Sequence, residues 1–300
     1  MKTADSIATT TTSTSKVKDL AMFFKFRLSM IVVLSSILGY LMGAETVSGF
    51  SVVSLIVGGF LLSGASNGFN QVWEKDLDRL MKRTENRPMP QGRMSVTEGI
   101  VISSIAALAG ILILWLSLNA LCGILGAIAL FFYVFLYTPM KQKNSLAVFI
   151  GAFPGAIPPM LGYVAATGQF GLEAGLLFAT QFMWQFPHFW AIAWVVYDDY
   201  KAAGYKLMPF NDGRSKRSAF QIVLYSFFLI PVSLLPWAFP ADAPLIGNLG
   251  MVVVTLCGIA FAFLAWRLYR SCETRDAKVL MFASFLYLPI VQLFYVIDKL

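Results

Sequence analysis

The sequence predicts an all-α polytopic membrane protein with nine transmembrane helices, and three observations carry that prediction. Hydrophobic residues make up 58% of the 300-residue chain and charged residues only 13%. The apolar residues gather into nine runs of roughly twenty, the length a helix needs to cross hydrocarbon. The runs lack the apolar–polar alternation of barrel strands, which excludes a β-barrel. If the spans alternate, every Lys and Arg except Lys299 falls on one face. That asymmetry puts the N-terminus in the cytoplasm and the C-terminus outside. It also assigns the net charge of +7 to the inner membrane face, with no call for nucleic acid.

The chain opens on MKTADSIATTTTSTSKVKDL, polar and rich in Ser and Thr. Asp5 and Asp19 argue against a transit peptide, and no cleavable signal is expected ahead of the first span. Residues 1–22 are therefore expected to be a short disordered cytoplasmic tail, and 23–300 a single membrane domain. The first two spans, 24–43 and 50–69, lead into NQVWEKDLDRLMKRTENRPMP at 70–90. Asn70, Glu74 and Asp78 stand four residues apart and form one slowly drifting stripe on a helix, with Asp76 on the far side. Oxygen ligands at this spacing suit Mg2+, which shares its shell with waters and substrate phosphates. Arg79, Lys82, Arg83 and Arg87 follow, with donors that match diphosphate oxygens. A solvated, salt-bridged helix end is the competing reading.

Spans 99–118 and 120–138 return the chain to the same face at YTPMKQKN, where Tyr137, Lys141, Lys143 and Asn144 lie; orientation alone could explain those lysines. Span 146–166 holds GAFPGAIPPMLG, three prolines and a Gly151-x-x-x-Gly155 step, expected where a helix lines a cavity or packs closely. Span 174–197 carries the single histidine, His188, after Pro187, and ends at Asp198 and Asp199 with Lys201 and Lys206 beyond. A polar ring within a span is a functional candidate, although a hydrogen bond to a neighbouring helix would also account for it. Two acids at a helix C-terminus oppose the macrodipole, which favours a role for them. The two acidic blocks end even-numbered spans and could face each other across one cavity. Spans 218–239, 245–266 and 279–297 complete the set, and the basic loop 267–278 suits anionic lipid as well as orientation. Cys122, Cys257 and Cys272 fit neither a metal spacing nor a disulfide frame.

The stretch from Asn70 to Pro90 resembles the first aspartate-rich motif of the UbiA superfamily of intramembrane prenyltransferases. The usual pattern is N-D-x-x-D-x-x-x-D; here Gln71 replaces the first aspartate and Glu74 the second. With FPHFW and DDYKAAGYKLMP it resembles, within that superfamily, the protoheme IX farnesyltransferases. The resemblance implies a UbiA-type bundle with a lateral, lipid-accessible cavity in a bacterial inner membrane. It implies Mg2+ on Asn70, Glu74, Asp78 and Asp198, which would be the catalytic set. Arg79, Lys82, Arg83, Arg87 and Lys141 would hold the diphosphate of farnesyl diphosphate, with Asp199 and His188 as further substrate contacts. His188 would face the acceptor, haem b, and a haem A synthase would take the product. The second motif departs from D-x-x-x-D, because Trp194 stands where the first aspartate would be; the number of metal ions is left open. The rival readings are a prenyltransferase acting on an aromatic quinone precursor, an ion-coupled transporter and a structural assembly factor. Transport would place the acids near the bilayer midplane, whereas these cluster at one face. An assembly factor would leave the acid stripe unexplained.

Overall fold

The computed structural model describes residues 15–239 and 244–299. Nine long helices dominate these residues: α1 (Phe26–Gly43), α2 (Gly49–Trp73), α3 (Val96–Ser117), α4 (Ala120–Met140), α5 (Leu146–Thr167), α6 (Leu172–Val195), α7 (Lys216–Ala238), α8 (Asn248–Ser271) and α9 (Thr274–Ile297). Eight of them are long and apolar enough to cross a membrane. The exception, α6, has 24 residues but buries Thr180, Gln181, Gln185 and His188. It packs against α5, α7 and α9, so its polar groups find protein partners instead of lipid. Much of the outer surface is apolar, with Leu116 76% and Leu286 64% exposed, as a lipid-facing wall requires. The chain is an integral membrane protein.

The described part of the expected tail is helical. Residues 1–14 lie outside the described residues, but Lys16–Phe23 is a helix, started by the Ser15 side chain accepting from the Lys18 N–H. Its Asp19 takes Arg93 in an ion pair at 3.0 Å, and Phe23 is fully buried. The short helix is thereby fastened to the loop that follows α2.

Two devices hold the bundle around an interior space. Glycines let α1 and α5 touch backbone to backbone: a Cβ on Gly39 would collide with the Pro159 carbonyl, and one on Gly162 with the Ser36 carbonyl. Proline inside α5 then frees carbonyls for use elsewhere. Pro159 has no N–H for the Gly155 carbonyl, and Gln181 Nε2 of α6 fills that vacancy at 2.6 Å. Gln185 Nε2 likewise donates to the Ala152 carbonyl at 2.8 Å. The three free cysteines take no part in bonding between helices beyond Cys122, which rests against the Leu161 carbonyl.

Helices α1 and α9 are bonded to each other over their outer halves. Gln292 reaches Ser35 at 2.8 Å, and Lys299 donates to the carbonyls of Leu41 and Ala44. Towards the inner end Leu28, Ile31, Phe285 and Leu288 line the cavity, and Leu28, Ile31 and Phe285 are also exposed on the outside. The wall between these helices is therefore open sideways in its inner half.

Candidate active site

Helix α2 and the single turn after it deliver Asn70, Glu74 and Asp78 to one end of a cavity of about 600 Å³. All three are buried, at 1, 3 and 0% exposure, and all line the cavity. The four-residue step does what helical spacing predicts, and Asp76, expected on the far side, has an 85% exposed side chain.

Each member of the stripe meets a base. Lys141 Nζ donates to Glu74 Oε1 at 2.8 Å, and Arg87 Nη1 donates to the Asp78 oxygens at 2.7 and 2.9 Å. Lys25 Nζ donates to Asn70 Oδ1 at 3.3 Å, while Asn70 Nδ2 donates to Thr138 Oγ1. Burial pushes the Glu74 carboxyl up, but Lys141 and then Lys25 outweigh it and hold the group below the usual carboxylate range. Burial pulls Lys141 down, and Glu74 more than restores it. For Lys25 the pull of Glu74 and Asp78 is outweighed. Burial, then Arg87 and Lys141, hold it well below an ordinary lysine.

The bases arrive from separate elements. Lys25 precedes α1 with a left-handed backbone, φ 45°, a strained conformation for lysine that turns it towards Asn70. Lys141 follows a π-helical segment, Phe132–Tyr137, inside α4. Such bulges are frequent at functional sites. Its Tyr137 ring lies 4.6 Å from Lys141 Nζ, and Tyr205 closes the other side at 5.7 Å. Burial, then Glu74, push the Tyr205 hydroxyl up, so it stays a neutral phenol beside the acid. Arg87 and Arg83 come from the loop after α2, which is pinned by Thr84 donating to the Asp78 carbonyl and by Arg79 donating to that of Pro90.

Not all the residues singled out from sequence reach this place. Arg83 lines the cavity and leans on Tyr200, its ring centroid 5.3 Å away; Tyr200 and Asp199 outweigh burial and raise the guanidinium. Arg79 is spent on Pro90 and on Asp76, and Lys82 is exposed. Asp198 is not brought to the stripe: its side chain is 80% exposed and accepts from Arg214 at 3.0 Å. Arg214 holds it there, donating to Asp198 and to the Trp194 carbonyl, and Trp194 itself is fully buried in the core where the resemblance would ask for a carboxylate. Gln71 also turns away from the cavity, donating to the carbonyls of Met22 and Phe23 and anchoring the short helix Lys16–Phe23.

Sequence reasoning missed Lys25 as a site residue, and with it Tyr133, Tyr200 and Tyr205. It also missed a polar cluster deeper down, where Gln292 Nε2 donates to Gln181 Oε1 at 2.7 Å and to Ser35 Oγ. The signal for part of this was present: Gln181, Gln185 and His188 stand at i, i+4 and i+7, one helix face. His188 contacts Ser284 through Nδ1 at 2.7 Å and lines the same cavity.

Asn70, Glu74 and Asp78 present only hard oxygen donors, the set Mg2+ takes. Among the described residues no group of three His, Cys, Asp or Glu converges, so waters or substrate oxygens would complete any shell.

The chain is similar to known proteins along most of its length. The protoheme IX farnesyltransferase of Cytophaga hutchinsonii is 47% identical over 279 residues, covering 92% of this chain and 96% of that one. A digeranylgeranylglyceryl phosphate synthase structure superposes with a TM-score of 0.76 at 18% identity, covering 94% of this chain and 98% of that one. A UbiA homologue from Archaeoglobus fulgidus bound to DMAPP and Mg2+ gives 0.68 at 13% identity, over 91% and 99%. These two likenesses concern the fold. The UbiA prenyltransferase family model matches residues 32–287, and the chain belongs to that family.

Proposed function

We propose that this protein transfers a farnesyl group from farnesyl diphosphate to the vinyl group of haem b, releasing diphosphate and giving haem O. One observation carries the reading: bases and hard oxygen acids share one end of a cavity whose remaining wall is mostly apolar and opens towards lipid. The 47% identity to a protoheme IX farnesyltransferase supports haem b over a quinone precursor as acceptor. Among the described residues, the polar end lies on the face that holds every Lys and Arg but Lys299, which supports a cytoplasmic diphosphate site in a bacterial inner membrane.

Lys25, Arg83, Arg87 and Lys141 receive the diphosphate, and the prenyl chain runs along Leu55, Leu62, Leu114 and Leu161. When bound to Asn70, Glu74 and Asp78, Mg2+ supplies Lewis-acid stabilisation of the departing diphosphate. The allylic C–O bond breaks with its electron pair leaving on oxygen, and Arg87 and Lys141 are placed to meet that charge in a dry site. The apolar wall keeps water from the allylic cation until the vinyl carbon forms the new C–C bond. Positive charge then rests on the adjacent carbon. Water adds there and its proton leaves to solvent or diphosphate, giving a hydroxyethylfarnesyl group.

The test is a direct competition. Purified protein with Mg2+, farnesyl diphosphate, haem b and a hydroxybenzoate is expected to yield farnesylated haem by mass analysis. Prenylated phenolic acid without haem product would overturn the acceptor.

A further inference from the structure

His188 is the single histidine of the sequence, and its neighbours decide which nitrogen faces which way. Ser284 Oγ donates to the Met281 carbonyl at 2.6 Å, so its only hydrogen is committed. The 2.7 Å contact between Ser284 Oγ and His188 Nδ1 therefore has Nδ1 as donor. A neutral ring protonated on Nδ1 carries its lone pair on Nε2. Among the described residues Nε2 has no hydrogen-bond partner, although His188 is only 8% exposed and lines the cavity.

The ring is also held in plane. Trp184 stacks on one face with centroids 4.2 Å apart and 18° between planes, and Phe285 meets it edge-on at 5.2 Å. Trp184 Nε1 donates to the Ser284 carbonyl at 3.0 Å, so the stacking partner and the hydrogen-bond partner fix each other. A buried ring with one nitrogen donating to a helper and the other bare and aimed into a cavity has the arrangement of a metal-ligating imidazole. No cysteine lines this cavity, and the amines of Lys25 and Lys141 are engaged at its far end. His188 stands roughly 10 Å along the axis from the inner end of α6, so a flat macrocycle centred there would reach towards the polar end.

Resting on the haem reading above, we infer that His188 Nε2 is an axial ligand to the iron of the acceptor haem. Ser284 is the positioning residue that keeps the ligating tautomer. Iron ligation then sets the distance and face at which the porphyrin edge meets the allylic carbon.

Ferric haem b titrated into the full-length protein in nanodiscs, read by absorption and EPR, tests this. Wild type is expected to give an imidazole-ligated spectrum, and His188→Gly to lose it while still binding farnesyl diphosphate. Added imidazole should restore it. Ser284→Ala should weaken haem binding about tenfold, and Ser284→Thr should recover it. A His188→Gly protein with wild-type spectrum and affinity would overturn ligation and leave the haem reading intact. Loss in Ser284→Ala that Ser284→Thr does not recover would overturn the tautomer lock. If wild type binds farnesyl diphosphate but no haem, the acceptor reading fails and the inference with it.

Discussion

Arg87 Nη1 sits 2.7 and 2.9 Å from the two carboxylate oxygens of Asp78, so each occupies the bonding positions the other would offer a ligand. Lys141 and Glu74 repeat the arrangement at 2.8 Å. A cation on the acids and a phosphate oxygen on the bases compete with these pairs for the same groups. The pairs place acids and bases side by side for a substrate that brings both signs.

Asp78→Asn should lower kcat at least about 100-fold, the scale of losing one electrostatic contact to a transition state. The amide keeps the size and can still accept from Arg87, so the thermal unfolding midpoint should move little. Turnover that stays near wild type would remove Asp78 from the metal stripe.

Lys141→Met strands a buried carboxylate, and such losses cost about 3 kcal/mol or more. Adding Glu74→Gln removes the stranded charge and should recover most of that stability with no recovery of turnover. Unfolding of the single and double variants in detergent reads the difference. Equal stabilities would mean that the pair is not coupled.

Lys25 gives the site a pH dependence. Its ammonium is held well below the ordinary lysine value by burial, Arg87 and Lys141, and a bound diphosphate would raise it. Between the lowered and the raised values, binding takes up a proton. Affinity for farnesyl diphosphate is therefore full at lower pH and falls as pH climbs through that window. Calorimetry in buffers of different ionisation enthalpy should detect the proton uptake, and Lys25→Arg, which stays charged, should abolish it. An unchanged slope in Lys25→Arg would assign the dependence elsewhere.

Asp198 and Asp199 should behave differently although they are adjacent. Asp198 is exposed and tied to Arg214, whereas Asp199 acts on Arg83, which lines the cavity. Asp199→Asn is expected to raise KM for farnesyl diphosphate several-fold, and Asp198→Asn less than twofold. The reverse order in steady-state kinetics would restore Asp198 to the metal site.

Much of the fold was legible because a membrane leaves few choices. Runs of apolar residues and one-sided bases locate nine helices to within a few residues, although Gly49–Trp73 continues past the expected end at 69 to bury Asn70 and Gln71. The stripe of Asn70, Glu74 and Asp78 was legible because it rests on helical period alone. Partners from remote elements were not: the turn that brings Lys25 to Asn70 depends on a left-handed backbone, and the approach of Tyr205 depends on the loop after α6. The direction of Asp198 was not legible for the same reason. Spacing places it at a helix end, but only packing around Trp194 and Arg214 decides which way its carboxylate points.

The most direct measurement is an experimental structure of the protein with Mg2+ and a non-hydrolysable farnesyl diphosphate analogue. Mg2+ is expected on oxygens of Asn70, Glu74 and Asp78, with Arg87 and Lys141 moved from the carboxylates to the diphosphate. Contacts of 2.7 Å between Arg87 and Asp78 and 2.8 Å between Lys141 and Glu74 that persist beside a bound diphosphate would contradict it.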